Sequence, residues 1–174
     1  MIVMGTRGKS RKDIELIGSV TAEIIESTRV PLLVIPENVS FGSIKDAKNV
    51  AFAMSFNQQD LVAFDHFVKL MKKEIPQVHL FNISTSGDEW NEIRLTGTRE
   101  YLQKHYPDMM IEFTVLSEGD VLEAIEKFVQ EKNIDVITLT THRRSMITRI
   151  FNPSIARKML FHTNTALLII PCES

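Results

Sequence analysis

The chain has 174 residues, a formal net charge of −2, 44% hydrophobic and 24% charged residues. That balance belongs to a globular protein, and it gives no electrostatic footing for nucleic acid or an anionic membrane. No apolar run nears the ~18 residues of a membrane span, MIVMGTRGKS lacks the ordered regions of a signal peptide, and the single Cys172 cannot form an internal disulfide, all of which favours a cytoplasmic location.

In chain order, Ile2–Met4 reads as a short strand end followed by glycine-punctuated Gly5-Thr6-Arg7-Gly8-Lys9-Ser10. Val20, Ile24 and Ile25 recur at helical spacing, which predicts a helix over about 18–28. Pro31–Pro36 encloses a buried-type strand, LLVI. Residues 37–47 are polar with a glycine and read as linker.

From there strands and helices alternate. Strands are predicted at 49–54, 78–83, 110–116, 135–140 and 166–170. Helices are predicted at about 58–74, with Leu61, Phe64, Val68 and Met71 on one face, at 89–106, at 119–131, with Val121, Ile125 and Val129 on one face, and at 153–162. Such alternation implies an α/β protein with a parallel sheet covered on both faces, and right-handed crossovers make it doubly wound.

The chain also repeats itself. Shifted by 135 positions, residues 1–36 lie over 136–171 without a gap. Ile2 meets Ile137, Thr6 meets Thr141, Ser19 meets Ser154, and Leu32, Leu33 and Pro36 meet Leu167, Leu168 and Pro171. Solenoid periods reach only about 50 residues, so this period means duplicated domains. Residues 1–36 are then the C-terminal piece of a first domain, a β-α-β unit. Residues 37–47 are linker, and 48–174 form a complete second domain. A 36-residue piece cannot bury enough surface to fold alone, so its strands must lean on a neighbour. Leu32–Ile35 and Leu167–Ile170 are matched apolar strands, expected antiparallel to each other within the chain or across a dimer.

Gly5, Gly8 and Gly18-Ser19 lie between a strand end and a helix start. The boundary comes from the repeat, because Asn152-Pro153-Ser154 has a capping residue followed by a first-turn proline. Glycines let backbone approach a phosphate, and a helix N-terminus offers free N–H donors. A triphosphate cradle at the carboxyl end of a parallel strand is physically sensible. A glycine-rich turn without a ligand fits the spacing equally well.

Those residues, Met4-Gly5-Thr6-Arg7-Gly8-Lys9-Ser10, the nine residues between Gly8 and Gly18-Ser19-Val20, and the closing VPLLVIP, resemble the signature of the universal stress protein family. The second domain resembles it too, most clearly in EGDVLEAIEKFVQEKNIDVITLTTHRRS. The resemblance implies an adenine-nucleotide-hydrolase-like, Rossmann-like fold with a five-stranded parallel sheet, and dimers paired through the last strand. It also implies that Met4, Gly5, Gly8, Gly18, Ser19 and Val20 match ATP-contacting positions. It implies no settled catalytic activity, and no enzyme is expected.

The departures are equally informative. The family's aspartate at the end of the first strand falls at Met54, which cannot accept from a ribose hydroxyl. The positions of Gly5, Gly8 and Gly18 become Thr140, Arg143 and Pro153 in the second domain. Arg143 would fill phosphate space and Pro153 deletes an N–H donor. No ATP is therefore expected in the second domain, and the first-domain fragment holds only the phosphate half of a site.

Other signals read blandly. His142-Arg143-Arg144 with Arg149, Arg157 and Lys158 is a solvated basic loop sooner than an anion pocket. His66 and His79 lack metal-ligand spacing. His105 and His162 suit helix ends, and Trp90, Tyr101 and Tyr106 read as packing. Three readings follow. In the first, a tandem stress-response protein binds ATP upstream and uses this second domain for dimerisation or regulation. In the second, both units are a pure protein-protein interaction module, with a partner on the 142–158 face. The third and weakest is a nucleotide hydrolase.

Overall fold

The computed structural model describes residues 1–5, 24, 27–37, 39, 46–71, 77–84, 89–117, 121–140 and 165–171. The strands are β1 (Ile2–Gly5), β2 (Leu32–Ile35), β3 (Asn49–Ala53), β4 (Gln77–Ser84), β5 (Ile111–Ser117), β6 (Val136–Thr140) and β7 (Ala166–Ile170). The helices are α1 (Gln58–Met71), α2 (Glu89–His105) and α3 (Val121–Glu131). They fall within two residues of the predicted positions, except that α1 is described only to Met71. The predicted helix over 153–162 lies outside the described residues, as does most of the one over 18–28. There, a single turn is visible in Thr28 N–H donating to Ile24 O at 2.8 Å.

All seven strands form one sheet in the order β1-β2-β7-β6-β3-β4-β5. β7, β6, β3, β4 and β5 are mutually parallel, which is the expected five-stranded doubly wound sheet. β1 and β2 are parallel to each other and meet β7 through an antiparallel β2–β7 pair. Both edges of β7 are thus occupied within the chain.

The sequence repeat is repeated in the register. Ile2 pairs Leu32 and Gly5 pairs Ile35, while Ile137 pairs Leu167 and Thr140 pairs Ile170. The same shift of 135 relates both ladders. It also relates Leu33 to Leu168, which face each other across the β2–β7 seam. A local pseudo-twofold axis therefore passes through the Leu33–Leu168 pair.

Alternation along these strands sorts side chains into two cores. Ala51, Ala53, Phe81, Ile137, Leu139, Leu167 and Ile169 pack with Ile125, Phe128 and Val129 of α3. Val50, Phe52, Met54, Val78, Leu80, Leu168 and Ile170 pack with Phe64 and Phe67 of α1 and Leu102 of α2. Phe52 meets the Phe64 and Phe67 rings edge-on at 5.4 and 5.5 Å. The α1 stripe centres on Ala63, Phe64 and Phe67, and Leu61, Val68 and Met71 flank it half-buried. A 3.6-residue period admits both stripes, and only contact with the sheet chooses between them.

Two helix ends are built locally. Asn57 Oδ1 accepts from Asp60 N–H at 2.9 Å, and Asp60 Oδ2 accepts from Asn57 N–H at 3.3 Å. This reciprocal capping box starts α1. At the end of α3, Ile134 N–H reaches Val129 O at 3.0 Å and Asn133 N–H reaches Gln130 O at 3.3 Å. Asn133 adopts φ 48°, so this is a Schellman stop with asparagine at the left-handed position. Asp135 then accepts from Lys48 and Asn49 N–H at 2.8 and 3.0 Å, tying the start of β3 to β6.

Candidate functional site

Parallel strands present their carboxyl ends together, and ligands of such sheets bind there. In the five-stranded part this rim holds Met54 after β3, the end of β4, and Thr140 at the end of β6. Because β2 runs antiparallel to β7, the carboxyl end of β1, with Gly5, lies at the opposite rim. Gly5 and its counterpart Thr140 therefore lie at opposite rims of the sheet.

Of the predicted nucleotide contacts, Met4 and Gly5 are described. Met4 is half-buried against the α3-side core. Gly5 is exposed, and a Cβ built there would meet nothing within 4 Å. Among the described residues, then, nothing crowds this position. Gly8, Gly18, Ser19 and Val20 lie outside the described residues, as do Arg143, Pro153 and the basic stretch 142–158.

The rim of the complete unit is a different environment. Met54 is 0% exposed and packs in the α1-side core. Its N–H donates to Phe81 O at 2.9 Å and its carbonyl accepts from Asn82 Nδ2 at 2.6 Å. A buried thioether here is at most a weak acceptor and is closed to solvent. Thr140, which matches Gly5, is buried. The next turn is tied to the start of α1. Phe56 takes φ 55° and is buried, and Asp60 Oδ2 accepts from Ser55 N–H at 2.6 Å.

Sequence reasoning passed over Asn82. It is 4% exposed, and among the described residues its Oδ1 has no hydrogen-bond partner. The signal was present, since an asparagine inside VHLFNI is out of place in a strand buried on both faces.

It also passed over a polar cluster at the opposite rim. His79 is 2% exposed. Its Nδ1 lies 3.0 Å from Glu112 Oε2, off-line for a hydrogen bond, and its Nε2 is 3.4 Å from Asn49 Oδ1. Lys132 Nζ donates to Glu112 Oε1 at 2.5 Å. Burial holds the His79 pKa below its ordinary value, outweighing the nearby Glu112 carboxylate. The Lys132 hydrogen bond holds Glu112 low. Elsewhere, burial and then the hydrogen bond to Asp65 push the Tyr106 hydroxyl upward. His105 Nδ1 lies 2.8 Å from the Tyr101 carbonyl. Neither His79 nor His105 is thus poised on a hydroxyl nucleophile. Among the described residues no group of three or more His, Cys, Asp or Glu side chains could hold a metal, and no helix is long and apolar enough to cross a membrane.

Neither a protein-family model nor a curated protein matches the sequence. Solved structures do. A universal stress protein from Archaeoglobus fulgidus DSM 4304 superposes on 99% of this chain with a TM-score of 0.70 at 20% identity. The chain has the universal stress protein fold. It spans 61% of that protein's length, less than two thirds. A universal stress protein solved in complex with cAMP matches over 73% of this chain and 99% of its own, with a TM-score of 0.53 at 12% identity. At such identities the likeness establishes the universal stress protein fold alone.

Proposed function

We propose that this chain is a universal-stress-type protein of tandem organisation. Residues 1–36 close a first domain, 37–47 link, and 48–174 form a complete second domain that acts as a nucleotide-free pairing and regulatory module. ATP belongs to the first domain, whose phosphate loop runs through Met4, Gly5, Gly8, Gly18, Ser19 and Val20. The observation that carries this reading is the contrast between equivalent rims. No described residue comes within 4 Å of a Cβ built at Gly5, whereas Thr140 and Met54 are buried.

The cAMP-complexed protein matches 73% of this chain over 99% of its own length, so its whole unit is shorter than this chain. The cAMP complex supports a nucleotide ligand for proteins of this fold. On this reading the module acts by pairing and regulation, without catalysis. It works in the cytoplasm. Pairing runs through 31–36 and 165–171 as an intrachain pseudo-dimer, in place of a homodimer through the last strand. The seam equally favours a second reading, a pure interaction module without nucleotide.

Calorimetric titration of ATP into this chain, and into a form extended upstream to complete the first domain, tests the reading. Binding is expected only in the extended form and should be lost in Gly8→Arg. Binding by the 174-residue chain would overturn the assignment of a nucleotide-free second domain. Binding by neither would leave the interaction module.

A further inference from the structure

β5 lies at the end of the sheet away from the β2–β7 seam, and among the described strands it pairs on one side, with β4. Its burial differs from that of the inner strands. Every residue of β6 and β7 is buried. Residues 111–116 of β5 are only half-buried, apart from Val115, which is 54% exposed. Natural edges are blunted by charge, proline or a bulge. β5 contains no proline, and its ladder with β4 runs unbroken from the pair of Val78 with Ile111 to that of Ser84 with Ser117. Its one charged residue is Glu112. That carboxylate is engaged within the molecule, accepting from Lys132 Nζ at 2.5 Å beside His79.

The backbone phase of β5 decides what can pair with it. Val78 N–H donates to Met110 O at 2.8 Å. Alternate residues of a strand address the same neighbour, so Met110, Glu112, Thr114 and Leu116 turn their N–H and C=O groups toward β4. Those of Ile111, Phe113, Val115 and Ser117 turn outward, and they can satisfy one another. Antiparallel pairing of two copies about an axis at Thr114 sets Phe113 opposite Val115 and Ile111 opposite Ser117. Each such pair exchanges both N–H···O bonds, and Thr114 meets its own copy in a non-hydrogen-bonded pair. This register overlaps all seven residues of the strand.

Side chains agree with that register. The Phe113 ring, with the Arg99 guanidinium over it at 5.0 Å, would lie beside the exposed Val115 of the second copy. An aromatic opposite a β-branched residue is a favourable cross-strand pair, and like charges directly opposite are unfavourable. Glu112 falls opposite Leu116, whereas a register centred on Glu112 would set the two carboxylates face to face.

We propose that β5 is an interface between two copies of this chain, joined antiparallel about a twofold axis at Thr114 into one continuous sheet. A closed twofold contact uses the same patch on both copies, and β5 is self-complementary in backbone phase, apolar pairing and charge. The molecule already builds such a seam internally, where β2 meets β7 antiparallel with Leu33 facing Leu168. That internal seam occupies β7 on both sides, so association falls to the other end of the sheet.

Sedimentation equilibrium of the 174-residue chain measures the dimer. Val115→Pro removes an N–H that addresses only the second copy, and an edge strand tolerates proline there. It should weaken the dimer roughly tenfold or more, with the circular dichroism of the folded monomer retained. The register is read separately by cross-linking with oxidised glutathione in a Cys172→Ser background. Thr114→Cys should give a disulfide dimer, because a non-hydrogen-bonded pair holds its Cα atoms about 4.5 Å apart. Ser117→Cys should not, because the axis holds its two copies about 20 Å apart. A chain that stays monomeric up to about 1 mM would overturn the proposal. So would a dimer indifferent to Val115→Pro, or equal cross-linking through positions 114 and 117.

Discussion

Asp60 is the residue whose removal should most clearly loosen the β3–α1 rim. It is 2% exposed and sits at the third position of α1. Its Oδ2 accepts from Ser55 N–H at 2.6 Å and from Asn57 N–H at 3.3 Å. Asp60→Ala leaves both donors without that acceptor in a part-buried turn. A hydrogen bond to an acidic side chain contributes roughly 1.5–3 kcal/mol. The short bond earns the upper part of that range, and the long one about half the lower part. An acidic residue in the first turn of a helix adds about 0.5 kcal/mol through the dipole. The sum is about 3–4 kcal/mol, which for a chain of this size lowers Tm by roughly 10 °C. Asp60→Asn keeps an acceptor oxygen without the charge and should lose about half as much. The assay is urea unfolding, where the midpoint should fall while the m-value holds. A loss below about 1 kcal/mol in Asp60→Ala would refute the claim that this carboxyl group holds the turn.

Three further expectations follow from the same geometry. Leu33→Ala and Leu168→Ala each remove a nearly fully buried side chain at the seam and should each cost about 2–4 kcal/mol. Since the two face each other, the double variant should cost less than the sum, and additive losses in denaturant unfolding would place them in separate environments. Met54→Asp should destabilise the fold by at least ~3 kcal/mol, from lost burial and a carboxyl group without partners, and should not create ATP binding. A stable variant that binds ATP would show that one side chain had closed the site. The His79 pKa is lowered on folding, so its contribution is complete above the ordinary value of 6.5. It is lost as pH falls below that value toward the folded-state pKa, because the unfolded chain takes the proton first. Glu112, held low by Lys132, gives up its share only at lower pH. His79→Gln should flatten unfolding free energy between about pH 7 and pH 5, and an unchanged slope would place the titrating group elsewhere.

Much of this protein is legible in its residues because the decisive signals are local. Alternating apolar runs and helical periods place the strands and helices. Asn57 with Asp60, and Asn133 before Ile134, mark helix ends through bonds made within a few residues. The 135-residue shift is likewise a property of the sequence, and the register of β1–β2 and β6–β7 follows it residue by residue. The replacement of Gly5 by Thr140, and the apolar Met54, already argued that the two rims differ.

What required the tertiary structure is everything that depends on strands distant in sequence meeting. Leu32–Ile35 could have paired within the chain or with another molecule, and matched apolar strands cannot distinguish the two. The fold occupies both edges of β7 internally, and among the described strands β1 pairs on one side, with β2. His79 and Asn82 are polar residues within one otherwise apolar strand, which marks them as unusual without naming their partners. Their surroundings come from Asn49, Glu112, Lys132 and Met54, brought close by the sheet. Periodicity is written along the chain, whereas burial and strand order are set by which surfaces exclude water together.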